Sequence, residues 1–164
     1  MRILGVIVCL LAAACRQEGG NAVNGTAGPA EIAPDPVMVQ TTTLTGLYES
    51  SGNPPTQLCI TERGSVARFG LVTRERGGTG CSGAGTAIRS GATLRLNMAG
   101  ESACTIAAQI GDHGRVAFPA TLPRGCAYYC RPGAGAGGLV LAKTGGTREA
   151  ALHARDLAGG PLCT

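Results

Sequence analysis

Six cysteines, Cys59, Cys81, Cys104, Cys126, Cys130 and Cys163, offer the most definite chemistry in this chain. Zinc would want close cysteine pairs backed by histidine or by a second pair. Cys126 and Cys130 have no second close pair and no neighbouring histidine, so the pattern calls for neither a metal nor any other cofactor. An even set in an exported chain reads as disulfides, with the connectivity left open by sequence. Cys59 to Cys81 and Cys104 to Cys126 are equally spaced, which favours sequential pairing, with Cys130 to Cys163 pinning the C-terminus.

The remaining reactive types are weakly arranged. Ser82 lies in Gly80-Cys81-Ser82-Gly83-Ala84, which lacks the second glycine of G-x-S-x-G, and no strand-to-helix elbow is expected there. His113 falls in a turn, while His153 and Asp156 are spaced to share a helix face, as a base with its orienting carboxylate or as an exposed pair. The acids include no close pair suited to glycosidic work. Gly78 to Gly83 and Gly133 to Gly138 both fit G-x-G-x-x-G, but each leads into a strand pattern and not into the helix a dinucleotide fingerprint needs. The expectation is therefore a protein that is not an enzyme, with an unrecognised activity as the alternative.

Charge points to a surface and not to nucleic acid. The formal net charge is only +4, and the basic residues are mostly arginine. Arg63, Arg68, Arg74 and Arg76 form the one concentration, around a single expected hairpin. With Ser82 they are the candidate partner-binding residues. Such an edge suits an anionic envelope component or an acidic protein face, whereas scattered charge of this size equally describes an ordinary soluble surface.

The elements that must carry these residues are short. From Thr41 the sequence alternates with period 2 between glycine-rich turns, giving strands over 43–49, 57–61, 66–73, 82–89, 93–98, 103–110, 115–118 and 139–142. Leu58 and Ile60 take one face with Cys59 opposite, and Leu94, Leu96 and Met98 take one face of theirs. The fold class is mainly β, a small antiparallel meander rolled into a barrel or sandwich, with one C-terminal helix over 147–157 capped by Thr147. With two Phe, three Tyr and no Trp the core is built from aliphatic residues and is thin, so covalent staples are expected.

The N-terminus gives an address. Met1-Arg2 followed by the apolar run Ile3 to Ala14 has the parts of a signal peptide, shorter than the roughly 20 apolar residues of a spanning helix. The small residues directly before Cys15 resemble a bacterial lipobox. That resemblance implies cleavage between Ala14 and Cys15, a diacylglycerol on the Cys15 thiol and acylation of the new amino terminus. Ala12 stands where the pattern most often has Leu, and an Ala-x-Ala cleavage through Ala12 and Ala14 is the alternative, releasing a soluble protein. Arg16 after the cysteine implies, by the sorting rule of that family, an outer-membrane lipoprotein facing the periplasm. The domains are accordingly a signal peptide 1–14, a lipidated Cys15 with a flexible tether 15–42, and a disulfide-stapled domain 43–164.

Ser82-Gly83-Ala84-Gly85 also resembles the Ser-Gly motif of membrane-bound inhibitors of c-type lysozyme, in which a strand-borne Ser-Gly segment enters the lysozyme cleft. Thr86 and Ala87 stand where an aromatic residue normally comes next. The functional expectation is an envelope lipoprotein acting as a binding or structural module, held to the membrane through Cys15, with inhibition of an envelope-attacking hydrolase as the alternative.

Overall fold

A computed structural model describes residues 43–75, 77, 78, 80–100 and 103–164. The expected signal peptide, Cys15, the expected tether and Arg76 lie outside the described residues. The rest forms eight antiparallel strands closed into a barrel: β1 (Gly46–Glu49), β2 (Gln57–Arg63), β3 (Val66–Val72), β4 (Ser82–Ser90), β5 (Thr93–Met98), β6 (Thr105–Ile110), β7 (Val116–Ala117) and β8 (Val140–Gly145). Each strand pairs with the next, and β1 closes on β8 with Tyr48 opposite Lys143. Closure gives every strand a neighbour on both sides, although the two-residue β7 covers only Gln109 and Ile110 of β6. It thereby limits the exposed edges through which a chain with few charges per strand could aggregate.

Alternation decides what fills the barrel. Leu58 and Ile60 of β2, Phe69 and Leu71 of β3, Leu94 and Leu96 of β5, Ile106 of β6 and Leu141 of β8 are buried together inside with Tyr48. Eight strands leave an interior just wide enough for side chains to fill. A second, smaller cluster lies outside the wall, where Cys59 and Val72 are covered by Ala151, Ala154, Leu162 and Cys163.

The two ends of the barrel differ. At one end lie the tight turns at Gly64-Ser65 and Gly91-Ala92, whose glycines take φ of 60° and 58° as such hairpins require, together with the turn Gly111 to Arg115. At the other end the long connection 118–139 carries a 3-10 turn, Arg124–Tyr129, and is fastened by Cys81–Cys130 and Cys104–Cys126. The third disulfide, Cys59–Cys163, spans 104 residues and ties the C-terminal segment to the outside of β2.

These pairings correct the sequential scheme in two of its three bridges. Cys104–Cys126 forms as expected, but Cys59 belongs to the outer cluster and Cys81 to the inner one, so the barrel wall separates them. Equal spacing carries no information about which face a cysteine occupies. The C-terminal helix is also shorter than expected. Thr147 caps it, accepting a hydrogen bond from the Ala150 amide at 3.2 Å, but α1 spans only Arg148–Leu152. Beyond it Asp156 accepts from the amides of Ala158 and Gly160, both at 2.8 Å, and this local side-chain to backbone bonding forms a turn in place of further helix.

Candidate functional site

The end of the barrel opposite the disulfides is open. Three strands continue their inward alternation to this rim with an ionisable residue: Glu62 two places after Ile60, Arg89 two after Ala87, and Lys143 two after Leu141. Arg89 and Lys143 line a cleft of about 400 Å³ with Leu44, Tyr48, Ile110 and His113. That volume lies within the range of small-molecule sites. The floor is apolar, the lining carries two basic side chains and one acid, Asp112, and the Glu62 carboxylate lies on the same rim.

A web of hydrogen bonds holds the rim. Glu62 accepts from the Thr43 hydroxyl, from the Thr45 amide at 3.0 Å and from the Thr45 hydroxyl at 3.1 Å. Burial pushes the Glu62 carboxyl up, but these bonds outweigh it and the net direction is down. Lys143 Nζ donates to the Thr43 carbonyl at 2.8 Å and sits 5.5 Å from the centre of the Tyr48 ring, a cation–π arrangement. Burial lowers the pKa of its ammonium, partly offset by the Glu62 charge. Arg89 Nε donates to the Gly91 carbonyl at 3.0 Å. His113 adopts φ 55° and ψ 25°, a left-handed conformation uncommon for a residue with a side chain. Strain of that kind gathers at functional sites.

No protein-family model, curated protein or solved structure matches the chain. The site is therefore read from its own chemistry. Among the described residues no group of three or more His, Cys, Asp or Glu is placed to hold a metal ion.

Tyr48 forms the buried floor of the cleft. Its hydroxyl donates to the Leu44 carbonyl at 2.7 Å, and burial, helped by the Glu62 charge and opposed by Arg89, pushes the phenol up to about 12. The neutral form is thus favoured by folding. Its contribution to stability is complete below about pH 10 and is lost as pH rises toward about 12. Urea unfolding across that window is expected to show a fall of about 2 to 3 kcal/mol, and Tyr48→Phe should flatten it; an equally steep fall in the variant contradicts the assignment.

The candidate residues expected from sequence lie elsewhere and do not converge. Arg63 and Arg68 sit together on the outside of the β2–β3 hairpin, lining a separate cleft of about 300 Å³ with Thr61, Val66 and Thr164. Arg74 is engaged, donating to Gln57 and to the carbonyls of Arg155 and Asp156. Ser82 opens β4 at the disulfide end and is half-buried, and the Ser82 to Gly85 segment is paired along its whole length with β3. His153 comes directly after the last residue of α1, and Asp156 is committed to its own turn. Glu62, Arg89 and Lys143 were not singled out by sequence. The one signal for them was a charged residue on the apolar phase at one end of a strand, repeated in three strands whose ends meet.

Proposed function

We propose that the chain is an envelope lipoprotein, anchored through Cys15, whose barrel is a binding module with the open mouth as its ligand site. The ligand class is a small amphipathic anion, such as a carboxylate on a short alkyl chain. The apolar floor of Leu44, Ile110 and Val116 would receive the chain, and Lys143 and Arg89 would meet the negative group. The observation that carries this reading is the cleft itself, in which two cations project over an apolar floor at the one barrel end that no disulfide-fastened loop covers. The disulfides support the export part of the reading, since such bonds persist in oxidising compartments.

Thermal unfolding with octanoate tests it against octyltrimethylammonium, which has the same alkyl length and the opposite charge. At roughly tenfold excess over Kd the stabilisation is about 1.4 kcal/mol, about 5 °C in Tm for a domain of this size. Octanoate is expected to give that shift, the ammonium compound none, and Lys143→Met is expected to lose most of the octanoate response relative to its own baseline. Equal shifts with both compounds, or none with either, overturn the reading.

A further inference from the structure

Outside the barrel, the walls of β2 to β5 carry a row of side chains that the interior does not explain. Cross-strand register places Arg63 beside Val66 and Ile88 beside Arg95. The Ala67–Ala87 pair puts Val66 and Ile88 next to each other one step further along. The row therefore reads Arg63, Val66, Ile88, Arg95 across four strands, roughly 14 Å at the usual strand spacing. Arg68 lies in the adjoining row beside Thr86. Val66 and Ile88 are 52% and 55% exposed, the exposed large apolar side chains of β2 to β5.

Two further observations bear on what this face meets. The outward residues of β2 to β6 include Arg63, Arg68 and Arg95 but no acidic side chain; Glu62, the one acid within these strands, points inward and is held by Thr43 and Thr45. Arg74, Arg89 and Arg155 donate to backbone carbonyls, whereas among the described residues Arg63, Arg68 and Arg95 have no side-chain partner. Three uncommitted guanidinium groups flanking two exposed aliphatic side chains form a basic, amphipathic face. Such a face complements an anionic lipid surface, with the apolar groups seated among acyl chains at headgroup depth and the arginines paired to phosphates.

We propose that this face docks the barrel on a bilayer of anionic phospholipid, independently of any ligand in the mouth. The chain enters the barrel near Thr43 at the same end as Arg63, so a lipid anchor upstream would leave this face free to lie against the membrane.

Co-sedimentation of the full chain carrying Cys15→Ser, with vesicles of phosphatidylcholine alone or mixed with phosphatidylglycerol, tests the proposal. The N-terminal segment, with its apolar run and the cations Arg2 and Arg16, is the same in every variant compared, so its contribution cancels between them. The expected result is a preference for the anionic vesicles that weakens with salt. Arg63→Gln, Arg68→Gln and Arg95→Gln together should reduce it on the order of a hundredfold. A control with the same change in net charge, Arg124→Gln, Arg131→Gln and Arg148→Gln, should keep most of the preference. The proposal is overturned if the wild-type chain does not distinguish the vesicles, or if both triple variants lose equally.

Discussion

Replacing Cys59 and Cys163 together with alanine is expected to lower the unfolding free energy by about 4 to 5 kcal/mol, the largest loss of any bridge. The pair closes a stretch of 104 residues, against 22 for Cys104–Cys126 and 49 for Cys81–Cys130. In the chain-entropy account the longest loop restrains the unfolded chain most. The bridge also holds a cover in place. Leu162 lies directly over Gly70, where an added Cβ would come within 2.5 Å of the Leu162 carbonyl oxygen. Loosening the C-terminal segment would expose Cys59, Val72 and Ala151 to water. Urea unfolding without reductant, compared with the Cys104→Ala, Cys126→Ala protein, measures the difference. That second variant should lose about 3 kcal/mol, and a larger loss there than at Cys59 and Cys163 contradicts the assignment.

Phe69→Ala is expected to cost about 4 kcal/mol. Phe69 is buried in the barrel interior, and cross-strand register sets it opposite Ile60 on one side and Gly85 on the other. Gly85 has no side chain to move into the space, and none can be supplied, since a Cβ there would lie 1.9 Å from the Asn97 carbonyl oxygen. The cavity therefore cannot collapse from β4. Tyr48, the other large ring buried with it inside the barrel, is held in place by the hydrogen bond from its hydroxyl to the Leu44 carbonyl. Equilibrium unfolding in urea checks the value, and a loss below about 2 kcal/mol would show that the interior relaxes around the site.

The strands were legible in sequence because their period-2 patterns are strict. Thr93 to Met98 appears with the expected bounds, and Cys104, Ile106 and Ala108 are buried on one phase as their alternation requires. The choice between sandwich and barrel was not legible. It depends on β1 reaching β8, a pairing across nearly the whole domain for which no local residue speaks. The 3-10 turn at Arg124–Tyr129 was missed because it is fixed by two disulfides and not by any periodicity of its own.

The cysteine pairing was half-legible. Cys59 was correctly set opposite Leu58 and Ile60, so it had to pair with something covering the outside of the barrel, and the C-terminal Cys163 was the candidate on that side. Equal spacing favoured Cys81 instead. Likewise, four arginines close in sequence read as one basic edge, yet Arg74 lies at the disulfide end of the barrel while Arg95, distant in sequence, joins Arg63 through Val66 and Ile88. Neighbours on a sheet face are set by register, not by sequence distance. The mouth residues escaped for the same reason, since Glu62, Arg89 and Lys143 meet only when the sheet closes.

The mouth as a ligand site is the central claim, and amide chemical-shift mapping during an octanoate titration addresses it most directly. The prediction is saturable shifts confined to Gly91, Ala92, His113, Gly114 and Val116, the amides around the cleft, with the disulfide end unmoved. Shifts centred instead on a groove of about 300 Å³ that Leu122, Pro123, Ala134 and Gly137 line at the disulfide-fastened end, or no saturable shifts at all, would contradict it.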